Sequence, residues 1–274
     1  MQTARITGLY IYPVKSCRGI SLKELEITST GPKHDRQWML VDEQNQFLTL
    51  RTLSKMAEIK TSIQGHFLHL YAGTNKILVD FSEDCETMED VVVWDETVSA
   101  GIENKSINEA LSDFLSKSVK LVRYQSKSYR DLSEASTDAV KQVMFADARP
   151  LLLTNEASLA DLNSKLAAKS KEPSQMERFR SNIIIEGLPA YLEDEIKEFR
   201  VQTENGEIIL TNNKVCARCP IITQDVETGK VVSKETLQTL AEYRKKEGSN
   251  KVPFGVNLTP ANTGVLKIGQ IIKY

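Results

Sequence analysis

The chain has 274 residues, 41% hydrophobic and 26% charged, with 35 basic against 37 acidic side chains for a formal net charge of −2. That balance is ordinary for a globular protein and speaks against a general nucleic-acid binder, which needs a basic surface or a dense basic stripe. In "MQTARITGLYIYPVKSC" Pro13 and Lys15 interrupt the apolar run, leaving neither a signal peptide nor a membrane span, so the reducing cytoplasm is expected, with Cys17, Cys85, Cys216 and Cys219 as thiols.

The length suits one large or two modest domains. Short strands are expected over "ITGLYIYPV", "GISLKELEIT", "RQWMLVDEQNQFLTLR", "HFLHLYAGTNKILVDF" and "DVVVWDETVSAGI", with turns at "DEQNQ", "AGTNK" and "WDET" at the spacing of β sheets or barrels. The period then changes in "KSINEALSDFLSKS": Ile107, Ala110, Leu111, Phe114 and Leu115 share a helical face, and Ser106 with Glu109 reads as a capping box. "VKLVRY" resumes a strand, and the Ser-rich run "QSKSYRDLSEASTDAVKQ" reads as an interdomain connection or mobile loop. Beyond it come a helix carrying Leu159, Leu162 and Leu166, the strand "NIIIEG", and a hairpin "EFRVQTENGEIILTN" turning at Asn205 and Gly206. A third helix, "SKETLQTLAEYRKKEG", and a closing β segment, "VPFGVNLTPANTGVLKIGQIIKY", complete the chain.

The stretch "KVCARCPIITQDVETGK" holds Cys216 and Cys219 as a solitary CxxC. A structural zinc site needs four ligands, yet Cys17 and Cys85 are distant in sequence and His34, His66 and His69 all lie in the N-terminal half. A thioredoxin-like pair would open a helix, whereas Pro220 and the β-rich "IITQDV" follow here. Buried, inert cysteines are the plain alternative. Arg218, between the two, argues for a metal-binding thiolate, because a neighbouring cation favours that form. Lys15, Arg36, Arg149 and Arg180 read singly as surface charges; gathered in one cleft they would bind an anion.

Five segments in order, "YPVKSCRGISL", "HDRQWMLVD", "FADARPLLLTNEASLADLN", "RFRSNIII" and "CARCPIITQDVETG", give the chain its resemblance to MOSC-domain proteins preceded by their N-terminal β-barrel domain, among them the mitochondrial amidoxime-reducing components and bacterial relatives. The resemblance implies a mainly β fold with a few helices (α+β), with an N-terminal β-barrel-like domain over 1–124 and a MOSC β-barrel domain over 125–274. It implies a molybdenum–molybdopterin cofactor, with Cys219 as the catalytic thiolate ligand of the metal and Cys216 as its neighbour. Lys15, Ser16 and Arg36 match the family's phosphate and pterin contacts, Arg180 and Asn182 its F-R-x-N contacts, and Asp147, Ala148, Arg149 and Arg218 its other cofactor-contacting segments. Ala148 and Arg149 replace the hydroxyl or small residues frequent after that aspartate, and Pro220 stands where an aliphatic residue is usual.

The activity so implied is reduction of small N-hydroxylated compounds, with electrons from a separate ferredoxin or flavin reductase type of donor and no membrane or nucleic-acid partner. The family's membrane-anchoring extension and fused ferredoxin domain are not expected here. Two rival readings remain at this stage: a carrier of molybdenum cofactor or of persulfide sulfur on Cys219, as in MOSC domains attached to cofactor sulfurases, and a structural β protein.

Overall fold

The first strand, Thr3–Ile11, lies between Ile271–Lys273 at the end of the chain and Ile183–Glu186, antiparallel to both. Its two pairings close a seven-stranded barrel in the order Ile183–Glu186, Leu151–Asn155, Val252–Pro260, Gly206–Arg218, Glu198–Thr203, Ile271–Lys273, Thr3–Ile11. The structure, a computed structural model, describes residues 2–131 and 142–274. Leu151–Asn155 and Ile183–Glu186 run parallel, and the helix Glu156–Ala168 supplies the crossover that parallel neighbours require. Period-two alternation turns Phe199 and Val201 inward opposite Ile208 and Leu210, and with Ile6, Leu9, Leu153, Ile185, Val256, Leu258 and Ile272 they fill the barrel. Each such side chain gains about 1.5–3 kcal/mol on burial.

A half-barrel follows in sequence. It comprises the sheet Trp38–Val41, Lys120–Arg123, Glu96–Ile102, Met88–Val93 and the meander Lys60–Gln64, Phe67–Ala72, Asn75–Asp80. The helix Lys105–Leu115 packs Ile107, Leu111 and Leu115 into its core beside Trp38, Leu68, Leu70, Val79 and Leu121. The expected fold class is therefore observed, as two barrel-type units with three α-helices among the described residues.

The hydrogen bonding crosses the expected division at 124/125. Thr3–Ile11 seals the C-terminal barrel, and Glu24–Thr28 pairs with Gly264–Lys267. Ile11 packs in the barrel core while Val14 and Cys17 pack in the half-barrel core. Lys15 and Ser16 are thereby held at the junction.

Several local expectations are corrected. Asn104, not Ser106, caps the first helix: its side chain accepts from Ile107 N at 3.1 Å, and Ser106 Oγ donates to it. Asn and Ser cap about equally well, so position decides: Asn104 has the extended backbone that lets its side chain turn back, and Ser106 already lies within the helix. In the late hairpin Thr203 faces Gly206, so Glu204 and Asn205 form the turn. "QFLTLR" makes only isolated bridges through Gln46 and Phe47, and "IIT" of "IITQDV" forms a 3₁₀ turn, Pro220–Thr223, with Pro220 at its start where a missing N–H costs nothing. The strand Leu151–Asn155, wholly buried, carries no alternation and was not foreseen. The middle of the Ser-rich run, 132–141, lies outside the described residues.

Candidate functional site

Between the two units lies a cleft with a cavity volume of about 120 Å³. Lys15, Ser16, Arg36, Asp147, Ala148, Arg149, Arg180, Asn182, Arg218 and Cys219 all line it, as does Cys216. Residues that sequence reasoning did not single out also line it: Thr49, Arg51, Trp94 and Asn257. Lys15, Arg36, Arg51, Arg149, Arg180 and Arg218 bring six cationic side chains to the cleft against the single carboxylate of Asp147.

The backbone is bent to make this possible. Ser16 (φ +69°), Arg36 (+49°), Trp94 (+56°) and Arg180 (+55°) all adopt the left-handed region, which non-glycine residues enter at a cost and which clusters at functional sites. Backbone hydrogen bonds hold the first two there, locally at Ser16 and across the fold at Arg36. Cys17 N donates to Val14 O (3.0 Å) around Ser16, Arg36 N donates to Tyr12 O (2.8 Å), and Arg36 O accepts from Phe145 N (2.9 Å).

Lys15 is 4% exposed. Its Nζ donates to Phe145 O (2.8 Å) and pairs with Asp147, while burial lowers its pKa against the opposing pull of Asp147. Desolvation by the surrounding groups would raise Asp147, whose side chain is still 67% exposed, but Lys15 first and then Arg36 and the Trp94 indole N–H outweigh it and hold the carboxyl at about 2. The Trp94 bond, 3.2 Å, links the half-barrel hairpin to the Ala146–Arg149 segment. Buried Arg130 fixes that segment from behind by donating to the carbonyls of Met144 and Ala146.

The side-chain amide of Asn182 is engaged within the protein. Its Nδ2 donates to Tyr10 O (3.1 Å), and its Oδ1 accepts from Leu152 N (3.1 Å) and Arg36 Nη1 (3.3 Å). The side chain ties two barrel strands to Arg36. Arg36 Nη1 also pairs with Asp35 (2.5 Å), and its Nη2 donates to Arg180 O (3.1 Å). Arg149 Nη1 donates to the neighbouring Ala148 O, and among the described residues Arg149 Nε and Arg218 Nε find no partner.

The strand Gly206–Arg218 carries register breaks between Asn212 and Lys214 and between Val215 and Ala217. Bulges bend a strand and re-aim side chains, and the second falls at Cys216. Opposite it Gly255 (φ +75°) could not carry a Cβ, which would meet Leu153 O at 2.6 Å. Arg218 Nη1 donates to Cys216 Sγ (3.0 Å) and Nη2 to Phe179 O (2.6 Å), so the arginine between the cysteines engages the first of them. Cys219 stands at the head of the 3₁₀ turn and, like Cys216, is half-buried. Among the described residues no three His, Cys, Asp or Glu side chains gather to hold a metal. A metal bound here through a cysteine would take its remaining donors from a bound group.

Only Trp94 left a sequence signal beyond the motifs: a large aromatic in a turn, where small polar residues are usual. No helix among the described residues is long and apolar enough to cross a membrane.

Comparison with known families finds the MOSC N-terminal beta barrel domain over residues 3–118 and the MOSC domain over 140–273. Human mitochondrial amidoxime-reducing component 1 is 30% identical over 287 aligned residues, covering 98% of this chain and 82% of that one. Molybdenum cofactor sulfurase of Oryza sativa subsp. japonica is 32% identical over 270, covering 92% of this chain; that of Arabidopsis thaliana is 30% identical over 280, with the same coverage. The chain spans 32% of the length of each sulfurase.

Proposed function

The chain belongs to the MOSC family, with both its N-terminal beta barrel and its MOSC domain, and on that premise we propose that the cleft holds a molybdenum–molybdopterin cofactor and that the protein reduces small N-hydroxylated compounds. The observation that carries the reading is the meeting of six cations around one carboxylate in the same cleft as the CxxC thiols. The residues fit the group: a phosphorylated pterin is an anion with many acceptors, and unpartnered guanidinium N–H groups line the cleft. A soft thiolate suits a metal whose other donors are sulfur.

Lys15, Ser16 and Arg36 would hold the phosphate, and Arg180 and Arg218 the pterin side, with Asn182 holding Arg36 in place. Asp147 keeps Lys15 charged despite its burial, and Arg149 offers a charged contact in place of the missing hydroxyl at Ala148. Cys219 would supply the protein thiolate. When bound, the cofactor supplies two-electron redox chemistry coupled to removal of the substrate's N-hydroxyl oxygen. The net reaction consumes two electrons and two protons and releases water. A separate ferredoxin or flavin reductase type of protein is the proposed electron source, since no strand in the sequence leads into a G-x-G-x-x-G.

Similarity to the sulfurases supports a second reading, a carrier with persulfide on Cys219. One experiment separates them. Protein from a cofactor-producing host is analysed for molybdenum and for sulfane sulfur, then assayed with an aryl amidoxime and a reduced dye. Stoichiometric molybdenum with turnover supports the reductase; persulfide without turnover supports the carrier and removes the reductase reading. Robust turnover by pure protein with NADH alone would remove the separate donor.

A further inference from the structure

Tyr12 follows the strand that seals the barrel and is 4% exposed. It does not line the cleft, yet two cleft residues rest on it: Arg36 Cζ and Arg180 Cζ each lie 4.3 Å from the centre of its ring. Two guanidiniums brought to one ring repel each other. Burial first, and then the charge of Arg36, push Arg180 below its ordinary pKa. An aromatic face carries the negative end of the ring quadrupole and offsets such crowding, most effectively away from water.

The ring is fixed on several sides. Tyr12 N donates to Asp35 Oδ1 (2.8 Å), the carboxylate whose other oxygen accepts from Arg36. Tyr12 O accepts from Arg36 N (2.8 Å), and the hydroxyl donates weakly to Ser181 O (3.3 Å). Gly19 lies against the ring edge, where an added Cβ would come within 2.6 Å of Cε1 and 2.8 Å of Cδ1.

We infer that Tyr12 is a positioning residue for the anion site, its ring holding Arg36 and Arg180 in place so that both can address one polyoxyanion. The inference rests on the reading of the cleft as the seat of a phosphorylated cofactor, and it assigns the effect to the ring rather than to the hydroxyl.

The test uses the full chain made without cofactor, with inorganic pyrophosphate as the probe in titration calorimetry and thermal melting as the check on folding. Tyr12→Phe keeps the ring and is expected to bind pyrophosphate within about twofold of the parent. Tyr12→Leu loses two cation–ring contacts and is expected to bind about tenfold more weakly while still melting cooperatively. Gly19→Ala leaves Tyr12 in place but displaces its ring, and is expected to weaken binding in the same direction; if Tyr12→Leu does not fold, this variant decides alone. A folded Tyr12→Leu that binds like the parent overturns the inference only, as does a Tyr12→Phe that loses as much as Tyr12→Leu. A parent chain that binds no pyrophosphate overturns the reading of the cleft and the inference with it.

Discussion

The closed barrel and the half-barrel face each other across one cleft but give it unequal things. From the barrel side come Arg218 within a paired strand, Cys219 just beyond it, and Asn182 wired to two strands beside Arg180. From the half-barrel come Thr49, Arg51 and Trp94, carried on a loop and a hairpin turn. A side chain on a paired strand, or hydrogen-bonded to strands, is held more rigidly than one on a turn. The barrel therefore provides the groups whose geometry the proposed chemistry needs, and the half-barrel the lip that shapes what enters. Arg51 lies 5.0 Å from the Trp94 ring centre, a contact that can form or open without disturbing a strand.

The sharpest division should appear at the CxxC. Cys219→Ala is expected to abolish amidoxime reduction while leaving stability within about 0.5 kcal/mol, whereas Cys216→Ala, which loses a thiol accepting from Arg218, should cost far less activity. Turnover and thermal melting of both variants check this. Equal loss at both would point to a redox pair or a shared metal site and would break the assignment of Cys219.

The structural side of the comparison is tested at Leu9, fully buried on the sealing strand, against Leu78, 48% exposed on the half-barrel meander. Leu9→Ala is expected to lose about 2–5 kcal/mol in urea unfolding and Leu78→Ala no more than about 0.5 kcal/mol. A small loss at Leu9 would mean that barrel closure contributes little.

Among the cations, Arg36→Glu replaces a charge-assisted contact with repulsion. Cofactor content after gel filtration should fall about tenfold or more, since such bonds contribute about 1.5–3 kcal/mol. Arg51→Ala on the lip should change it by no more than a few-fold, about the worth of an exposed cation–ring contact. Equal loss would erase the distinction between Arg36 and the lip.

The smallest effect concerns Asp147. Its folded pKa is depressed from 3.8 to about 2, so its pairing with Lys15 stabilises the fold above the unfolded value and is lost as pH falls through the folded one. The difference in unfolding free energy between the parent chain and Asp147→Asn should be flat above pH about 5 and shrink between pH about 4 and about 2. A difference that persists unchanged at the acid end would show that the pairing is not what holds Lys15.

The sequence by itself determined the strands whose alternation shows, such as Glu198–Thr203, the helical faces at Leu159, Leu162 and Leu166, and the family to which the ordered motifs belong. These are legible because they depend on neighbours within a few residues, or on segments matched in order. It left Leu151–Asn155 hidden, because a strand buried on both faces has no period to read, and it placed the helix cap at Ser106 because spacing alone does not say where extended backbone ends. Only the tertiary structure decided that Thr3–Ile11 closes the C-terminal barrel, that Arg36 and Arg180 share the ring of Tyr12, and that Arg51 and Trp94 reach the cleft. Those facts join residues as much as 270 positions apart, as in the pairing of Thr3 with Lys273, and such pairing is settled by strand closure and burial rather than by anything a local stretch of sequence encodes.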